Sequence, residues 1–116
     1  MENQQGLNMQ DLGIDIPDQF EFMGQQWQIR PGTSRELGED LGQCSYDERT
    51  VYLNPAYPTQ TIVQALFHEI VHCWEMTLNM HLTEDQVDNL ATSMIHWIKA
   101  NPEFIAVLIT EQELDQ

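Results

Sequence analysis

Two histidines and a glutamate stand in the order His68-Glu69-x-x-His72, inside the stretch "QALFHEIVHCWEM" at 64–76. On a helix, residues four apart share a face with roughly 5–6 Å between their Cβ atoms, close enough for both imidazoles to hold one metal ion. Imidazole nitrogen is a good zinc ligand. Glu69 is turned about 100° from His68. It is poorly aligned to join the histidines on the ion, but it can flank a metal-bound water and take its proton. These three side chains point to metal-assisted hydrolysis: His68 and His72 as ligands, Glu69 as general base, Zn2+ as cofactor. The bland alternative is a chance match on an ordinary amphipathic helix.

The surrounding helix weighs on that choice. Counting about 100° per residue from His68, the residues Val63, Leu66, Phe67, Ile70 and Trp74 fall in one arc opposite the histidines. The arc reads as the buried stripe. The histidine face carries Thr61, Gln64, Ala65 and Glu75, which are small or polar. The histidines are therefore expected to look into a cleft rather than into the main core.

A catalytic zinc takes three protein ligands and leaves one position open. Glu75 shares the histidine face but lies nearly two turns from His68. His81 comes nine residues after His72, which does not match the six-residue interval of H-E-x-x-H-x-x-G-x-x-H, and position 78 is Leu. Glu84 and Asp88 are the better candidates. They share one face of the next helix and border its apolar stripe of Val87, Leu90, Ala91, Met94, Trp97 and Ile98. Carboxylates beside a core are costly unless they meet a metal or a donor. Glu84 fits as third ligand and Asp88 as acceptor for the far N–H of a ligating histidine. Dipole complementation in a first helical turn would equally favour Glu84 and Asp85. Cys73 points to the core side and is a poor fourth ligand; Cys44 cannot be positioned.

The elements that must hold these groups are legible from turns and periodicity. "FEFMGQQWQIR" (20–30) alternates apolar and polar residues about Gly24 and reads as a hairpin. "PGTSRELGEDLG" (31–42) holds a short helix capped by Thr33 or Ser34. "QCSYDERTVYLN" (43–54) reads as a second hairpin, and "PAYP" (55–58) ends it. Helices are expected over about 59–79, 84–100 and 102–110, the second with a Thr83/Gln86 capping box and the third with Pro102 after Asn101. The class is α+β: short antiparallel strands (about 20–54), then three helices. Residues 1–15 are expected as a loose arm, 16–112 as one domain, and 113–116 as an acidic tail. Trp27, Trp74 and Trp97 are expected as core anchors, and Met9, Met23, Met76, Met80 and Met94 as gap-fillers.

Composition narrows the function. Of 116 residues, 4 are Lys or Arg and 19 are Asp or Glu, a net charge of −15. That disfavours nucleic acid and anionic membranes as partners and favours a protein or peptide partner, a basic one best. An acidic DNA mimic fits the same charge. No apolar run reaches the roughly 18 residues of a membrane span. "MENQQGLNMQ" has no basic leader, so a cytoplasmic location with two reduced thiols, Cys44 and Cys73, is expected. A disulfide between them is compatible with the sequence but not required by it.

With H-E-x-x-H on one helix and E-x-x-x-D on the next, the chain resembles zincin metallopeptidases of the gluzincin type. The run "LGQCSYDERTVYLN…TIVQALFHEIVHCWE" is most similar to the small ImmA/IrrE-type and SprT-like metallopeptidase domains of bacteria and phages, over about residues 37–100. The resemblance implies a zinc-dependent endopeptidase with His68, His72 and Glu84 as ligands and Glu69 as base. It implies that Thr50, Val51, Tyr52, Leu53 and Asn54 form the cleft-edge strand on which an extended substrate pairs. It further implies a cytoplasmic regulatory protein as substrate. The chain departs from that pattern in being very short and in lacking an evident Tyr or His to polarise the scissile carbonyl; Tyr46, Tyr52, Tyr57 and His96 are the candidates. The rival expectation is an acidic binding or inhibitor protein, of a size that fits a phage-encoded one, with a zincin-like fold, its zinc structural or absent, and no catalysis.

Overall fold

Met23 and Gly24 both adopt positive φ, 53° and 81°. That pair of left-handed residues makes a two-residue turn whose twist matches the flanking strands. It joins β1 (Gln19–Phe22) to β2 (Gln25–Pro31) as the expected antiparallel hairpin, with Phe22 opposite Gln25. Next come α1 (Ser34–Leu37), β3 (Gly42–Ser45), β4 (Thr50–Leu53), α2 (Thr59–Thr77), α3 (Glu84–Ala100) and α4 (Pro102–Leu114). The structure, a computed structural model, describes residues 8–114. The class is α+β, a four-stranded sheet followed by three long helices. Among the described residues no helix is long and apolar enough to cross a membrane.

The sheet order is β1-β2-β4-β3. The outer pairings are antiparallel, but β2 and β4 run parallel, with Ile29 beside Val51. An all-antiparallel sheet was expected from the two hairpins; α1 and β3 supply the crossover that a parallel pairing needs. Thr83 caps α3 through a reciprocal box with Gln86, as expected, and Thr33 rather than Ser34 caps α1, in a like box with Glu36.

Helix α2 lies across the sheet and is also flanked by α3. Ile62, Ala65, Leu66 and Cys73 join Trp27, Ile29, Val51 and Leu53 in the main core. Val71 turns to the other side and meets Val87 and Ala91 of α3. Each fully buried aliphatic side chain of this kind contributes about 1.5–3 kcal/mol. The single stripe expected on α2 is thus replaced by two packed faces. Val63, Phe67, Ile70 and Trp74 are only partly buried, and Ala65 is inside. His68 and His72 fall between the two faces rather than opposite one.

Other expectations need correcting too. Met9 is fully buried within a 3-10 turn, Met9–Leu12, capped by Asn8 and packed on the main core. Residues 8–15 are therefore docked; the rest of the expected arm, 1–7, lies outside the described residues. α4 extends to Leu114, into the expected tail, whose last two residues also lie outside them. Trp27 is buried and Trp74 half-buried, but Trp97 is 49% exposed, because α3 turns that side away from α2. Met23, Met76 and Met80 are exposed as well, leaving Met9 and Met94 as packing residues.

Candidate metal centre

Helix α2 ends in a turn that organises the site. Asn79 takes positive φ, 58°. The Met80 amide then bonds the Glu75 carbonyl and the Asn79 amide bonds the Met76 carbonyl, the paired pattern of a Schellman motif. The chain doubles back so that α3 starts beside the histidines. In that turn Glu75 Oε2 accepts the Leu82 amide hydrogen at 2.8 Å, while Oε1 lies 3.0 Å from His72 Nδ1. Both contacts, Leu82 first, hold the Glu75 carboxyl below the usual glutamate range. On the other histidine, His68 Nδ1 lies 2.9 Å from Asp88 Oδ1.

These two carboxylates determine what the histidines can do. An ionised carboxylate only accepts hydrogen bonds. With hydrogen on Nδ1 to meet these carboxylates, each imidazole would offer its Nε2 lone pair to a metal ion. Both Nε2 atoms turn to Glu84: His68 Nε2 lies 3.2 Å from Oε1 and His72 Nε2 lies 3.3 Å from Oε2. One ligand atom from each of the three residues lies within 4.8 Å of the others. Two atoms bound about 2.0–2.1 Å from one ion at a tetrahedral angle stand roughly 3.4 Å apart. His68, His72 and Glu84 thus form a group that could hold a metal ion.

Glu69 sits deeper. Its side chain is buried beneath β3, and burial pushes its carboxyl above the usual glutamate range, with His72 and then His68 pulling partly back. Gly42 makes the space: a Cβ there would come within 3.0 Å of the Tyr52 carbonyl and 3.2 Å of Glu69 Cγ. The groups share one cleft of about 560 Å³, walled by Leu41 to Cys44 on one side and by α2 and α3 on the others. Cys73 is turned away into the core, its Sγ 3.1 Å from that of Cys44; the two are unbridged. The contact with Cys44 and burial together push the Cys73 thiol far up, as suits a packing residue rather than a ligand.

The structure brings together His68, His72, Glu69, Glu84 and Asp88. Glu84 and Asp88 are 75% and 67% exposed. They hang over the cleft mouth rather than bordering a core, because Val87 and Ala91 take the packed face of α3. The strand 50–54 is not at the cleft edge. β4 is flanked by β2 and β3, and Thr50, Val51, Leu53 and Asn54 are buried, with Tyr52 half-buried. Asn54 holds the 38–41 loop instead, donating to the Gly38 and Asp40 carbonyls. The open edge beside the histidines is β3. None of the four carbonyl-polarising candidates lines the cleft. Tyr52 donates to Glu48, Tyr57 to the Glu39 carbonyl, Tyr46 packs against Arg49 and Trp27, and His96 lies in a separate hollow between α2 and α3.

Glu75, Gly42 and the β3 edge were missed in the sequence. Glu75 on the histidine face was the available signal, but the Leu82 amide that fixes it comes within reach only through the turn at the left-handed Asn79. Comparison of the chain with protein-family models, with curated proteins and with solved structures finds no match, so function rests on the chemistry of this cleft.

Proposed function

We propose that this chain is a zinc-dependent endopeptidase of gluzincin type, acting in the cytoplasm on an extended and preferably basic segment of a regulatory protein. The observation that carries the reading is the convergence of His68 Nε2, His72 Nε2 and Glu84 on one point, beside the buried Glu69 carboxyl. Bound there, zinc would supply a Lewis acid and a water of lowered pKa.

The chain's own groups supply the rest. Glu69, raised by burial, has a proton affinity suited to accepting a proton from water and later donating it to the leaving amine. Asp88 and Glu75 stand where they would hold both histidines in the tautomer that turns the Nε2 lone pair to a metal. Edge strand β3 offers unpaired backbone groups along the cleft wall, onto which an extended peptide can add. The net charge of −15 attracts a basic segment.

A second reading, an acidic binding protein with a structural zinc or none, is favoured by one feature. No Tyr or His among the four candidates lines the cleft to stabilise an oxyanion. The two readings separate in one experiment. Zinc-loaded chain is incubated with unfolded proteins and basic peptides, and products are identified by mass spectrometry, for the wild type and for Glu69→Gln. The peptidase reading expects cleavage by the wild type, and its loss in the variant at equal zinc content. A variant that cleaves as well as the wild type would remove Glu69 from the mechanism; a zinc-loaded wild type that cleaves nothing favours the binding protein.

A further inference from the structure

Helix α4 carries Phe104-Ile105-Ala106-Val107-Leu108-Ile109, six apolar residues in a row. A helix that is apolar on all sides needs cover on more than one side. α4 lacks it. Phe104, Val107, Leu108 and Ile109 are exposed, Phe104 by 62%, and the ring contact of Phe104 with Trp97 lies next to the turn at Asn101. Beyond that turn α4 packs against α3 alone among the long elements, and the chain with α4 included measures 48 Å along its longest axis against 31 and 27 Å across.

An apolar groove on the same chain has no occupant among the described residues. Trp74, Leu90, Met94, Trp97 and Ile98 line a hollow of about 410 Å³ on the outer face of α3, with Ser93 as the one polar residue. The groove faces away from Glu84 and Asp88, which front the metal cleft. α4 is attached to the end of α3 by one residue, Asn101, and its exposed middle stays clear of the groove.

We propose that two copies of this chain pair about a two-fold axis, the α4 helix of each lying in the α3 groove of the other. Because helix and groove belong to one chain, a mutual exchange satisfies both and closes the assembly. The area suits it. The exposed apolar parts of Leu90, Trp97, Ile98, Phe104, Val107, Leu108 and Ile109 amount to at most roughly 700 Å² per chain, so a pair that covers most of them approaches the roughly 1,200–2,000 Å² of a specific interface. Charge favours a second copy over a basic partner. The chain is strongly acidic elsewhere, but the groove lining and the run 104–109 hold no charged residue that a basic partner could meet. Acidic surfaces outside the patch repel one another across the pair, so salt should tighten it.

The test is sedimentation velocity of the full chain from micromolar to millimolar concentration, at low and high salt, for the wild type, Leu108→Glu on α4 and Leu90→Glu in the groove. The wild type is expected to sediment at twice the 13.5 kDa chain mass, more completely at high salt. Each variant is expected to weaken pairing about 30-fold or more, as loss of a hot-spot residue does. Both positions are surface-exposed, so helical circular dichroism and zinc content should match the wild type. A wild type that stays monomeric throughout overturns the proposal. So does a pairing that survives Leu90→Glu while Leu108→Glu abolishes it, since α4 would then bind elsewhere than the groove. Assemblies that grow past two copies with concentration overturn the closed exchange.

Discussion

Replacing Glu75 by glutamine isolates the part of the site that neither ligand nor base supplies. Glu75 Oε1 accepts from His72 Nδ1 at 3.0 Å and Oε2 from the Leu82 amide at 2.8 Å. Glutamine has the same shape but only one acceptor oxygen. If that oxygen stays on the Leu82 amide, the new NH2 group faces Nδ1 and favours the tautomer with hydrogen on Nε2, which cannot bind a metal through Nε2. If the amide flips, His72 is satisfied and the Leu82 N–H loses its partner. Either outcome costs about one hydrogen bond at a half-buried position, roughly 1–3 kcal/mol. Lost orientation of this kind weakens metal affinity about 10–100-fold, which corresponds to about 1.4–2.8 kcal/mol. Asp88→Asn should cost less, under about tenfold, because Asp88 makes one such contact, is 67% exposed, and an exposed asparagine can turn its oxygen to Nδ1. The assay is zinc competition against a chromogenic chelator at neutral pH, with circular dichroism as a folding control. Unchanged zinc affinity in Glu75→Gln, or a larger loss in Asp88→Asn, would refute this account of how His72 is held.

Two further outcomes follow from particular side chains. Gly42→Ala puts a methyl group 3.0 Å from the Tyr52 carbonyl and 3.2 Å from Glu69 Cγ; overpacking of that kind costs about 1–3 kcal/mol. Thermal melts should show the loss, and peptide cleavage should fall at unchanged zinc content; wild-type turnover in a fully folded variant would mean that Glu69 is not held by this contact. The Tyr52 phenol donates to Glu48 and is pushed up to about 12, by that hydrogen bond first and burial second, against an ordinary 10.0. Its folded value lies above its unfolded one, so its contribution to stability is complete below about pH 10 and is lost as pH rises through about 12. Ultraviolet titration of tyrosinate should find one tyrosine in that upper range, and Glu48→Gln should bring it down; an unshifted curve would contradict the contact.

Much of the frame is local chemistry and could be read in advance. The Thr33/Glu36 and Thr83/Gln86 boxes, the Met23-Gly24 turn and the i,i+4 spacing of His68 and His72 depend on residues within a few positions of each other. What escaped depends on which elements meet. Alternation marks "TVYLN" as a strand but carries no record of its neighbours. Only the parallel pairing with β2 makes β4 interior and leaves β3 beside the cleft. The α2 stripe was misjudged because one angular count assumes one packing partner, whereas α2 has the sheet on one side and α3 on another. Glu75 acquires its role only when Asn79 turns the chain and brings the Leu82 amide within reach. Trp97 belongs to the apolar stripe of α3, but it lies on the part of that stripe that α2 leaves uncovered, and an angular count cannot tell covered from uncovered.

The central claim is that His68, His72 and Glu84 hold zinc, and metal analysis of the purified chain tests it most directly. After zinc loading and gel filtration, the wild type should retain one zinc per chain, His68→Ala none, and Glu84→Ala little. A wild type without zinc, or a Glu84→Ala variant at full occupancy, would contradict it.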